Sequence, residues 1–187
     1  AGLDHPFMEA MSSQLADHGL ATLRYHFPYM EKGARRPDPQ PLLVRTVRAA
    51  VRGARRIVPE LPLIAGGKSM GGRMTSLAAA AEPLPGVRGL VFFGFPLHPV
   101  DRPGTDRADH LSRVPLPLLF LQGTRDRLAR LDLLRPVTAN LGERATLHVV
   151  DGADHGFHVP KRSGRSDEEV LEELARTAEV WVHRLVA

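Results

Sequence analysis

Leu61-Pro62-Leu63-Ile64-Ala65-Gly66-Gly67-Lys68-Ser69-Met70-Gly71-Gly72 carries a short apolar run straight into Gly67-Lys68-Ser69-Met70-Gly71. The run reads as a strand, and Met70 to Glu82 beyond it reads as a helix that Pro83 stops. A serine at such a strand-to-helix junction is held on a strained turn with its hydroxyl exposed. The flanking glycines are expected where a Cβ would clash. Ser69 is therefore the candidate nucleophile.

The remaining apolar periods alternate between helix and strand. Residues 6–18 read as a helix, with Pro6 near its start and Phe7, Met8, Met11 and Leu15 as its buried stripe. Leu20–Phe27 reads as a strand that Pro28 ends, followed by a Pro-, Gly- and Arg-rich loop over 28–41. Leu42–Val58 reads as an amphipathic helix with Val44, Val47, Val51 and Val58 facing inward. Val87–Phe93 is almost wholly apolar, as a parallel strand covered on both faces must be. An irregular stretch, 95–113, leads to strand 116–121. A helix over 128–141 follows, in which Pro136 is expected to cause a kink or break. Strand 145–150 and a last helix close the chain. That helix opens with Ser166 and Glu169 as a capping box and buries Val170, Leu174, Ala178, Trp181 and Leu185. Strand–helix alternation of this kind predicts a doubly wound, mostly parallel α/β sheet, and residues 1–187 read as one domain.

Two more strand ends carry chemistry. Gln122-Gly123-Thr124-Arg125-Asp126 places a carboxylate just past one, and Asp151-Gly152-Ala153-Asp154-His155 places an imidazole past the next. Functional groups of open α/β sheets gather at the carboxyl ends of strands. Ser69, Asp126 and His155 fit one task. A hydroxyl becomes a nucleophile once a base takes its proton, an imidazole can take and return one near neutrality, and a carboxylate fixes the imidazole tautomer. Asp101, Asp106 and Asp154 are rivals for the carboxylate, but only Asp126 directly follows a strand. The amide of Met70, next after the nucleophile, is the first candidate donor to an oxyanion.

Composition sets further bounds. The 187 residues contain no cysteine, which excludes disulfides and thiolate metal sites and makes a reducing cytoplasm the default. No apolar run reaches the ~20 residues of a membrane span. The net charge of +4 comes almost entirely from arginine, scattered except for Arg45, Arg48, Arg52, Arg55 and Arg56 beside the valine stripe. That spacing marks the solvated flank of a helix, so no nucleic-acid partner is expected. His155, His158 and Asp154 lack the further ligands that zinc requires, so no metal and no cofactor are expected.

Asp4-His5-Pro6-Phe7-Met8, Phe27-Pro28-Tyr29-Met30, Gly66 to Arg73, Gly94-Phe95-Pro96-Leu97-His98, Gln122 to Asp126 and Gly152-Ala153-Asp154-His155 together resemble the α/β-hydrolase superfamily. Within it the chain is similar to dienelactone-hydrolase-like bacterial proteins and to the hydrolase-like domain of a eukaryotic histone acetyltransferase complex subunit. Dienelactone hydrolases proper use a cysteine nucleophile, which this chain lacks. The resemblance implies a serine hydrolase acting on a small-molecule ester, thioester or similar acyl bond. The alternative is a non-catalytic, hydrolase-like interaction domain. Tyr29, Lys68 and His98 are candidate pocket residues.

The superfamily places a His-Gly-rich loop, which supplies the second oxyanion donor, ahead of the first helix. Ala1-Gly2 resembles the tail of that loop, making the Gly2 and Leu3 amides candidates for the donor. The strand before the loop lies, in the superfamily, between the segments read here as strands 20–27 and 61–65. The resemblance therefore implies a sheet lacking its N-terminal strands, with a gap between those two segments.

Overall fold

The computed structural model describes residues 2–187. Its centre is a four-stranded, wholly parallel sheet in the order β1 (Leu63–Lys68), β2 (Val87–Phe93), β3 (Leu118–Gly123), β4 (Ala145–Val150). Side chains alternate across each strand. Leu90, Phe92, Leu118 and Phe120 face one side, and Val91, Phe93, Leu119 and Leu121 the other. Helices α3 (Gln40–Ile57), α4 (Met70–Ala81) and α5 (Leu131–Asn140) cover the first side. Helices α1 (Pro6–Asp17) and α6 (Asp167–Val186) cover the second. This is the doubly wound architecture expected, and it explains why the inner strands are almost wholly apolar. The short α2 (Pro28–Glu31), within the stretch read as loop, packs Tyr29 and Met30 against the first-side core.

On the first side, the rings of Phe92, Phe95 and Phe120 meet at centroid distances of 4.9–5.8 Å, all fully buried. On the second, Leu174, Ala178 and Trp181 of α6 pack over Val91 and Leu119. The capping box that starts α6 forms as expected: Glu169 N–H donates to Ser166 Oγ, and Ser166 N–H donates to the Glu169 carboxylate. The arginines of α3 divide. Arg45, Arg52, Arg55 and Arg56 are exposed, whereas Arg48 reaches α4 and donates to the carbonyls of Ala78 and Glu82, closing that helix's C-terminus.

Three expectations need correction. Leu20–Phe27 belongs to no sheet. A strand exists only with a partner edge, and among the described residues β1 pairs with β2 alone, leaving its other side without a strand partner. A groove of about 420 Å³ lies between β1 and residues 19–25, walled by Met11 and Leu15 of α1, Val47 and Val51 of α3, and Val182 of α6. The two segments are thus separated, as the gap reading required. Pro136 neither breaks nor splits α5. Its ring lies on the exposed side, where the carbonyl of Asp132 that lacks an amide partner can bond water. The stretch 95–113 is not wholly irregular, since residues 106–113 form a 3-10 helix that lays Ala108, His110 and Leu111 against the core.

Candidate active site

Ser69 stands between β1 and α4 with φ 52° and ψ −120°. Such a backbone costs a non-glycine residue about 1–3 kcal/mol and persists only where its surroundings enforce it. Here Ser69 N–H donates to Phe93 O at 3.1 Å, and Ser69 O accepts from Arg73 N–H at 3.2 Å. The helix comes in tightly. A Cβ on Gly67 would lie 3.0 Å from the backbone of Gly71 and Gly72, and one on Gly72 would lie 2.7 Å from Gly67 O. A Cβ on Gly71 would meet nothing. Gly67 and Gly72 therefore make the close approach, whereas the spacing of the motif pointed to Gly67 and Gly71.

The three candidate groups, far apart in sequence, meet at the carboxyl end of the sheet. His155 Nδ1 lies 2.7 Å from Asp126 Oδ2, and His155 Nε2 lies 2.8 Å from Ser69 Oγ. An ionised carboxylate can only accept, so the proton sits on Nδ1 and Nε2 accepts from the hydroxyl. Ser69 and His155 are half-buried and reachable, whereas Asp126 is 4 % exposed. Asp126 is held on all sides. Its Oδ1 accepts Leu128 N–H at 2.7 Å, and its Oδ2 also accepts from the Gln122 side-chain amide. Asp154, one of the rivals, serves the loop instead: its Oδ1 accepts from the amides of Gly156 and His158.

Lys68 is 8 % exposed. Its ammonium donates to the main-chain carbonyl of His155 and lies 5.0 and 4.7 Å from the ring centroids of Phe7 and Phe157. Burial pushes its pKa down to about 8, with Asp126 and Asp154 pulling the other way. His98 is 2 % exposed with both ring nitrogens engaged by backbone: Nδ1 donates to Pro99 O and Nε2 accepts Arg130 N–H. No free nitrogen is left to offer a substrate. Instead, His98 N–H donates to Leu128 O and braces the turn that carries Asp126. Tyr29 stacks on Phe27 at 6.5 Å and its amide donates to Asp38. Gly2 lies beside His26 and Met30, and Leu3 O accepts from Arg24. Met70 is the first residue of α4, so its N–H has no intrahelical acceptor.

Sequence reasoning missed Gln122, whose contribution depends on a turn that folds Asp126 back over the strand end. It also missed a second serine–histidine contact, Ser76 Oγ to His110 Nε2 at 2.7 Å. Ser76 is fully buried. Burial and the nearby cations Arg73 and Arg113 push His110 down to about 4, so this pair is a core hydrogen bond rather than a nucleophile and base. Among the described residues, no helix is long and apolar enough to cross a membrane.

Solved structures share this fold. A serine hydrolase homologue from Coxiella burnetii superposes with a TM-score of 0.75 at 21 % identity, over 94 % of this chain and 77 % of that one. An α/β serine hydrolase without a lid from Xanthomonas campestris gives 0.71 at 21 %, covering 96 % and 75 %. Est1E from Butyrivibrio proteoclasticus, with ferulic acid bound, gives 0.72 at 15 %, covering 100 % and 85 %. At these identities the likeness is one of fold. A family model described as an alpha/beta hydrolase domain matches residues 1–183, and the chain belongs to that family.

Proposed function

We propose that the chain is a serine hydrolase that cleaves an ester, thioester or similar acyl bond of a small molecule through an acyl-enzyme on Ser69, within one domain spanning residues 1–187. The carrying observation is the unbroken path Ser69 Oγ–His155 Nε2 at 2.8 Å and His155 Nδ1–Asp126 Oδ2 at 2.7 Å. Ser69 Oγ attacks the carbonyl carbon as its proton moves to His155 Nε2. The Asp126 carboxylate stabilises the resulting imidazolium without taking its proton. The negative oxygen of the tetrahedral adduct is met by Met70 N–H, with an amide of Gly2 or Leu3 as second donor. Collapse expels the alcohol or thiol, which takes the proton from Nε2. Water then attacks the acyl-Ser69 with His155 as base, releasing the acid and restoring the serine.

Half-exposure of Ser69 and His155 favours small or accessible acyl groups. Labelling with a fluorophosphonate probe tests the assignment. Wild type should label on Ser69 and hydrolyse p-nitrophenyl acetate, and Ser69→Ala should lose labelling and about 10⁴–10⁶-fold of kcat. Silence from the folded wild-type protein would instead indicate an interaction domain built on a hydrolase scaffold.

A further inference from the structure

Lys68 precedes the nucleophile in sequence, yet its side chain leaves the nucleophile behind. It runs to the second side of the sheet, where the ammonium sits against the rings of Phe7 of α1 and Phe157 of the loop after β4. Those rings stack on one another at 5.6 Å, and both are buried. Removing a cation from water is costly unless it gains strong partners. The partners here are two aromatic faces and one carbonyl, that of His155. The same loop holds Phe157 at φ 67°, a conformation unfavourable for an aromatic residue. A lysine that served only to fill space would be replaced at less cost by an apolar side chain.

The geometry points to Lys68 as a positioning residue: its caged ammonium tethers the main chain of His155 and so keeps the imidazole between Ser69 and Asp126. This deepens the serine-hydrolase reading and rests on it. Lys68 Nζ and the His155 ring both stand beside Gly94, each 3.3 Å from where a Cβ would be. The charged and titratable groups facing it are His5 at the start of α1, Asp126 on the turn after β3, and Asp154, His155 and His158 on the loop after β4. The tether acts through the loop backbone and touches no reacting atom. A loosened imidazole should lower kcat with little change in KM, and a misplacement of about 1 Å can cost about 100-fold.

The test compares wild type with Lys68→Met and Lys68→Cys. Methionine fills the aromatic cage but cannot donate to the carbonyl. Lys68→Met should melt no lower than wild type and lose about 100-fold in kcat for p-nitrophenyl acetate at unchanged KM. The protein has no other cysteine. Lys68→Cys, alkylated with 2-bromoethylamine in urea and refolded beside mock-treated wild type, regains an ammonium at the same reach and should recover activity. Proton NMR gives a readout independent of turnover. The downfield Nδ1–H signal of His155 should be present in wild type, lost in Lys68→Met, and restored by alkylation. A folded Lys68→Met with wild-type kcat and NMR signal would overturn the tether. Wild type that shows the signal but never labels with fluorophosphonate would overturn the hydrolase reading alone.

Discussion

Gly72 of α4 packs so closely on Gly67 of β1 that a Cβ on it would stand 2.7 Å from the Gly67 carbonyl oxygen and 3.0 Å from the Phe92 ring. Neither backbone nor buried ring can yield. Gly72→Ala should lower stability by about 1–3 kcal/mol and disturb the Ser69 turn. Gly71→Ala, one residue away with nothing within 4 Å, should be neutral or stabilising by up to about 1 kcal/mol, since alanine suits a helix better. Urea midpoints of the two variants, read side by side, check this. Equal loss in both would remove the close-packing account.

Asp126 takes three hydrogen bonds from protein groups, and they need not matter equally. Asp126→Asn keeps the shape but offers His155 the wrong tautomer, and about 10⁴-fold in kcat should be lost. Gln122→Met removes only one donor to the carboxylate. A bond to a charged group contributes about 1.5–3 kcal/mol, so a loss of about 10–100-fold is expected, carried in kcat. Steady-state kinetics on p-nitrophenyl acetate distinguish the two. A Gln122→Met enzyme as fast as wild type would reduce Gln122 to packing.

A buried histidine that takes no part in the proposed reaction, His110, should add to the loss of stability in acid. His110 is held down to about 4 by burial and by Arg73 and Arg113, below its ordinary value of 6.5. Between those values the unfolded chain binds a proton that the folded chain refuses. The stabilising contribution is therefore complete above pH 6.5 and is lost as pH falls towards 4. Chemical denaturation at pH 7 and pH 5 should show a smaller loss in His110→Gln than in wild type. An unchanged pH dependence would refute the assignment.

The unpaired side of β1 should be dynamic relative to the interior strands. Amides of β3, hydrogen-bonded within the sheet and fully buried, should exchange slowest. Amides of β1 that point away from β2 have no ladder partner and should exchange faster, together with residues 20–27. Hydrogen–deuterium exchange followed by peptide mass spectrometry measures both. Uniform protection across the four strands would show the edge to be covered.

Most features that repeat locally were legible in the sequence: the apolar strands of the sheet, the long amphipathic helices, the capping box of Ser166 and Glu169, and the turn carrying Ser69. Such patterns are dictated by neighbours within a few residues, through periodicity and backbone sterics. The meeting of Ser69, Asp126 and His155 was also legible, because each follows a strand and parallel strands bring their carboxyl ends together. What only the tertiary structure decided depends on partners remote in sequence. Residues 20–27 look like a strand yet lie in no sheet, since a strand's hydrogen bonds belong to an edge that another segment must provide. Lys68 looks like a pocket residue beside a nucleophile, yet it is buried against a carbonyl 87 residues away. His98 looks like a pocket residue, yet it braces the turn under Asp126. Periodicity reports which face of an element is apolar; only the packed chain reports what each polar atom on that element meets.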